Sequence, residues 1–548
     1  MRIELLRLAI AAVTLAAAPA AWAQDLLIHG GPINTGEASV EALAVKDGKV
    51  AFAGPLAQAR RAAPAARDID LKGAAAFPGF VDAHAHLSGI GFREMTLNLE
   101  GTESVEGLVA RLKAWNTANP GTGAVSGRGW IETHWPEKRF PSRQDLDRAI
   151  PDRPVVLGRA DGHAIVANTA MLALAGVTRD TAVPAGGQIL KDAAGEPTGM
   201  LIDNAMALVR GKVPPPTATA RAEAVKRGVD LYASRGWTGL HDMGASSEEV
   251  GHQQALAAKG QLPIRIDNYM SPQDADLVLA SGPSQDPTGL VRVRGVKLYM
   301  DGALGSRGAA LLAPYADAEG TGLILTPRET IDTFLKRGRA SGAQIAVHAI
   351  GDRGNRLVLD AFQQAFADDP TALRKARWRV EHAQVLSPED LPRFSELGVI
   401  ASMQASHAIG DLYFAPARLG PERLKGAYAW ESLVKSGAVV AGGSDAPVEK
   451  GDPLVEFYAA AYRHDLKGFA GPDWGLDEAL TRQQALALLT RGPAYASARE
   501  SELGLLKVGA PADISVFSVD LMTAPFPEIA KARAVMTVVG GRIVHDTR

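Results

Sequence analysis

A chain of 548 residues with 46% hydrophobic and 22% charged residues can hold one large domain and smaller ones, with the balance of an ordinary globular protein. A formal net charge of −3 gives no electrostatic support for a nucleic-acid or acidic-membrane partner. With no cysteine there are no disulfides and no thiolate ligands, so any metal has to be held by nitrogen and oxygen donors.

In chain order, "MRIELLRLAIAAVTLAAAPAAWAQD" comes first, with Arg2 and Arg7 ahead of an apolar run from Leu8 to Ala18 and Ala21-Trp22-Ala23 before Gln24. This pattern predicts a signal peptide over 1–23, an exported mature chain and, in a Gram-negative cell, a periplasmic one. The run is too short to span a bilayer comfortably, so no membrane association is expected after cleavage. Residues 24–73 read as short alternating strands broken by Gly, Asp and Pro, and the texture returns over 502–548. Neither piece has enough strands for a core, which predicts one small β domain built from both chain ends.

Between them, over 74–501, strands alternate with helical stretches. Eight strands are expected at 77–83, 236–242, 263–270, 293–300, 343–348, 377–382, 398–403 and 438–444. Eight such units predict an α/β fold of the (β/α)8 TIM-barrel type, with its active site at the C-terminal ends of the strands. About 90–225 is too long for one crossover and must carry an inserted subdomain after the first barrel strand.

Polar residues gather at those strand ends. "FPGFVDAHAHL" delivers His84 and His86 side by side, because alternate residues of a strand share a face. Lys297 lies in the fourth strand, His348 ends the fifth, His382 the sixth, and Asp445 follows the eighth. Singly, each has a plainer reading: a hydrogen-bonded structural histidine, a lysine reaching solvent, a helix-capping or turn aspartate. Their joint position at one barrel mouth favours a shared site.

The ordered stretches "PGFVDAHAHL", "VKLYMDGALGSRGAAL", "VHAIGDRGN", "RVEHAQ" and "GSDAPV" resemble the amidohydrolase superfamily, specifically its family 3, the YtcJ-like and N-substituted formamide deformylase-like branch. The resemblance covers nearly all of the mature chain. It implies a metal-dependent barrel in which His84 and His86 bind a first metal and His348 and His382 a second. By the same resemblance Lys297 carries a CO2-derived carbamate bridging the two, and Asp445 binds the first metal. Two divalent ions are then the expected cofactors, zinc first, with manganese or iron as alternatives. The implied reaction is hydrolysis of a non-peptide C–N bond, amide or formamide-like, by a metal-bridged hydroxide with Asp445 as base and then acid.

The expected partner is a small-molecule substrate, and a homo-oligomer is left open. Trp130, His163 and Arg307 are candidates for shaping the substrate pocket. Trp130 could equally be core, His163 could hold the loop after Asp161, and Arg307 could tie a loop to a carboxylate; Asp242 and Asp301 are strand-end acids with no assigned role. Three alternatives stand beside the amidase: a one-metal deaminase, an ester hydrolase of the same superfamily, and a non-catalytic exported binding or regulatory protein. Deaminating relatives place a glutamate three residues after the fifth-strand histidine, where this chain has Gly351.

Overall fold

Eight parallel strands, each hydrogen-bonded to the next in the chain's own order, form the centre of the protein. They are β1 (Phe80–Ala85), β2 (Trp237–Ala245), β3 (Arg265–Met270), β4 (Val291–Tyr299), β5 (Gln344–Ala349), β6 (Arg379–His382), β7 (Ile400–Gln404) and β8 (Val440–Gly443). The computed structural model describes residues 24–132, 135–160, 162, 164–184, 187–472 and 474–548. The predicted signal peptide and His163 lie outside these residues.

Helices such as Ala218–Arg235, Ser247–Ala258, Arg328–Ser341 and Asp352–Ala365 cross between strands and pack outside them. Their cores are continuous with the strands: Val225, Val229, Ile331, Val358 and Phe362 join Leu240, Ile266, Val296, Val347 and Val380 in one apolar cluster. Each such fully buried side chain contributes about 1.5–3 kcal/mol of transfer free energy. The strands read as nearly unbroken apolar runs because both faces are covered.

β1 and β8 close the barrel through side chains and loop backbone. A Cβ on Gly443 would stand 2.4 Å from the His84 amide nitrogen, so only glycine permits this approach. The buried Asp82 carboxylate bridges the gap, accepting from Ser444 N (2.9 Å), Ser444 Oγ (2.5 Å) and Tyr232 Oη (3.0 Å). Beyond β8, Asp445 N donates to His84 O at 2.6 Å, and His86 N donates to Ala446 O at 2.8 Å.

The first expected strand, 77–83, is in fact two. Ala75–Pro78 belongs to another sheet, and β1 begins at Phe80. Pro78 lacks an amide donor, and a Cβ on Gly79 would meet Thr238 Oγ1 at 2.3 Å, so the chain breaks there. The other seven expected strands are present with ends shifted by a few residues.

Strands from both chain ends form two further sheets. One holds Lys49–Gly54, Ala42–Lys46, Leu26–His29 and Arg67–Asp70. In the other, Ile514–Phe517 runs antiparallel to Ala75–Pro78. Leu26, Ile28, Leu43 and Val45 share a core with Ile514, Val516, Met536 and Val538. Between β1 and β2 the chain builds a separate six-stranded sheet from Leu97 to Asp203. Arg128 on that sheet donates to Pro447 O at 2.8 Å, tying it to the loop that follows β8.

Candidate metal centre

At the C-terminal mouth, β1 delivers His84, fully buried, and His86, which caps the helix Leu87–Met95 and keeps a third of its side chain exposed. Both face Asp445: its Oδ1 lies 3.5 Å from His84 Nε2 and 3.1 Å from His86 Nε2. Lys297, buried in β4, brings Nζ to 3.0 Å from His84 Nε2. The His382 ring sits between those of His84 and His348, with centroids 4.8 and 4.5 Å away. The structure thus brings together His84, His86, Lys297, His348, His382 and Asp445.

Two of these residues hold strained backbone. Asp445 has φ 56° and His382 has φ 75°, in the left-handed region that favours glycine. Along β6, Arg379 and Glu381 share one face, so simple alternation would send His382 to the other. Its positive φ turns the ring back toward His84.

Beneath the histidines lies a buried polar network that sequence reasoning missed. Glu381 Oε2 takes the Nδ1 side of His84 at 2.6 Å, and Arg379 forks onto Glu381 at 2.6 and 3.1 Å. Arg379 also donates to Ala83 O and Ser402 Oγ, so the guanidinium pins the base of β1. With Nδ1–H given to Glu381, His84 offers its Nε2 lone pair to the site. Gln404 Oε1 plays the same part for His382 Nδ1 at 2.8 Å. On the far side, His348 Nε2 lies 3.6 Å from Asp301 Oδ1, and that carboxylate accepts from three amides of the surrounding loops.

Burial sets the protonation states. It lowers His84 to about 4 and His348 to about 3, with Lys297 adding to both shifts, and it holds His382 well below the ordinary imidazole value. All three are neutral at pH 7, as ligands must be. Burial also lowers Lys297 to about 8, against the opposing pull of Glu381 and Asp445. For Asp445 burial raises the carboxyl, but its interactions with His84, His86 and His382 outweigh that and hold it well below the ordinary carboxylate value.

These residues fit a metal. Neutral imidazoles surround an ionised carboxylate, and His407 Nε2, which faces Asp445 Oδ2, is buried with no hydrogen-bond partner among the described residues. Two donor triads converge, His84–His86–Asp445 and His382–His407–Asp445, each with its atoms within 4.8 Å of one another. His407 was not foreseen; it sits on the helix Ala405–Asp411 that follows β7. A histidine three residues past a strand end was the available signal.

Two of the substrate candidates, Trp130 and Arg307, have partners within the fold. Trp130 is fully buried in the core of the inserted sheet, against Trp135 and Phe140, with Nε1 donating to Leu157 O. Arg307 forks onto Asp317, which also takes Arg418, so here it ties the loop after β4. Asp242 accepts from Leu87 N and Gln253, holding the start of the helix after His86.

Comparison with known proteins agrees with this architecture. A profile of the amidohydrolase family, Amidohydro_3, matches residues 67–545. YtcJ of Bacillus subtilis (strain 168) is 34% identical over 534 residues, covering 94% of this chain and 99% of that protein. N-substituted formamide deformylase of Arthrobacter pascens is 27% identical over 549 residues, covering 95% and 98%. A crystal structure of an uncharacterized metal-dependent hydrolase from Pyrococcus horikoshii OT3 superposes with a TM-score of 0.75 at 27% identity, covering 91% of this chain and 98% of that one. On its barrel, its strand-end residues and a profile match over most of its length, the chain belongs to the amidohydrolase family and is a hydrolase.

Proposed function

We propose that the protein is an exported, metal-dependent hydrolase that cleaves a non-peptide C–N bond of an amide or formamide-like small molecule. The observation that carries this reading is the meeting of His84, His86, Lys297, His348 and His382 around the ionised Asp445. Similarity to a relative named for formamide deformylation supports the bond type. Export rests on the leader-like pattern of residues 1–23.

When bound, two divalent cations would polarise the carbonyl and lower the pKa of a water. His84 and His86 with Asp445 would hold the first, and His348 and His382 the second. Lys297, with its amine held near neutrality at about 8, is suited to take up CO2 as a carbamate and release one proton. Asp445 removes a proton from the attacking water as the C–O bond forms, then returns it to the leaving nitrogen as the C–N bond breaks. Gly351 opposes the deaminase alternative: a Cβ there would meet Ala310 O at 2.0 Å, so no glutamate fits three residues after His348.

The test is metal content and turnover of the full chain, purified without chelator and with bicarbonate. About two ions per chain and amine release from a panel of N-substituted formamides and amides are expected. Two bound ions with ammonia release from ring amines and no amide turnover would sink the reading.

A further inference from the structure

The carboxylate of Asp445 is divided between two sets of histidines. Its Oδ1 faces His84 and His86, and its Oδ2 lies 3.6 Å from His407 Nε2. Gln404, the last residue of β7, holds His382 by Nδ1 at 2.8 Å, which leaves His382 Nε2 free on the side of His407. The two rings lie nearly parallel, 21° apart, with centroids at 5.8 Å.

His407 is fixed in this position. The amide of Ser406 donates to the buried Glu456 at 3.0 Å, and the short helix Ala405–Asp411 packs against the helix Pro453–Tyr462 that carries that glutamate. His407 itself is only 9% exposed, and its Nε2 is buried with no hydrogen-bond partner among the described residues. Glu449 comes no nearer than 4.0 Å.

The 3.6 Å separation from Asp445 is too long for an N–H···O hydrogen bond. It is close to the spacing of two donors on one cation, since ligands at 2.0–2.1 Å in a tetrahedral arrangement stand about 3.4 Å apart. The 3.5 Å separation between Asp445 Oδ1 and His84 Nε2 has the same character, whereas His86 Nε2, at 3.1 Å, is within hydrogen-bond reach of that oxygen. A buried, unpaired imidazole nitrogen is unfavourable unless something it can ligate or bond occupies the space before it.

We infer that His407 is a ligand of the second cation, and that Asp445 bridges the two cations through its separate carboxylate oxygens. The inference rests on the two-cation reading above and goes beyond it. It adds to His348 and His382 a third histidine, from a strand that contributed none, and gives the bridging role to Asp445 as well as to a modified Lys297.

The experiment is competitive zinc(II) titration against a chromophoric chelator, with elemental analysis, on the full-length wild type and on His407→Gln, His407→Asn and His86→Ala. Wild type is expected to bind two ions. His407→Gln and His407→Asn should keep one tight ion and bind the second at least about a hundredfold more weakly, beyond what loss of an outer partner costs. Two ions bound with wild-type affinity in both His407 variants would overturn the inference and leave the two-cation reading standing. A single ion in the wild type would overturn that reading instead. The single ion then decides about His407: lost in its variants but kept in His86→Ala, it supports the ligand; the reverse refutes it. No ion in any protein refutes both. Circular dichroism establishes folding of each variant. Should the variants not fold, cobalt(II)-loaded wild type supplies the answer: five hyperfine-shifted imidazole N–H resonances support the assignment and four refute it.

Discussion

Side chains in the core of the inserted sheet and those at the barrel mouth are buried in different company. In the sheet, Trp130 Nε1 bonds Leu157 O, Trp135 Nε1 bonds Thr102 O, and Asn168 is satisfied by Ile150 O, Arg153 O and two amides. At the mouth, His407 Nε2 has no hydrogen-bond partner among the described residues, and Asp445 and His382 hold left-handed backbone. Polar groups of a scaffold are paired as the chain folds. Those of a site are held ready for something the chain does not itself supply, at a cost in strain that the surrounding fold must offset.

That contrast can be broken at four points. Asp445→Asn should lower kcat by about 10²–10⁴-fold and keep the first cation while weakening the second, because the amide oxygen can ligate one ion but its nitrogen can neither ligate the other nor take a proton. Steady-state kinetics beside metal analysis would check it, and unchanged kcat would remove Asp445 from the chemistry. Trp130→Ala should destabilise the protein by about 3–5 kcal/mol, with the metal content per folded chain unchanged. Denaturant titration reads the first effect; a fall in metal content at full folding would place Trp130 with the site rather than the scaffold.

Glu381→Gln tests the network under His84. It should weaken metal binding by about 10–100-fold, since the amide no longer dictates which imidazole nitrogen carries the proton. The smallest effect belongs to the insertion. Burial raises Asp145, but its bonds from Arg139 and Ser142 outweigh that and lower it to about 2. Its stabilisation is therefore complete above the unfolded value of 3.8 and is lost as the pH falls toward 2. Asp145→Asn should flatten the acid limb of stability in that window and leave neutral-pH kcat alone; equal slopes for both proteins would refute the assignment.

Much of the barrel was legible because its strands are apolar runs ending in histidine, lysine or aspartate, a signal carried by neighbouring residues. The break at Pro78-Gly79 was legible in principle, but assigning its two halves to different sheets needs Ile514–Phe517, more than 400 residues away. Glu381 and Arg379 stood in the same "RVEH" that yielded His382. Their role was hidden because His84, the group they orient, comes from the opposite side of the barrel. His407 was hidden for a related reason: β7 ends at Gln404, and the histidine arrives on the next turn of chain.

The Asp82 bridge between β1 and β8 has a consequence in time as well as in space. His84 appears early in synthesis and Asp445 some 360 residues later, and the seam that joins them forms only when Ser444 reaches Asp82. The strand pair that seats the base of β1, Ala75–Pro78 with Ile514–Phe517, closes later still. A nascent or truncated chain therefore carries the first histidines with nothing opposite them, and a complete grip on a metal belongs to the finished molecule alone.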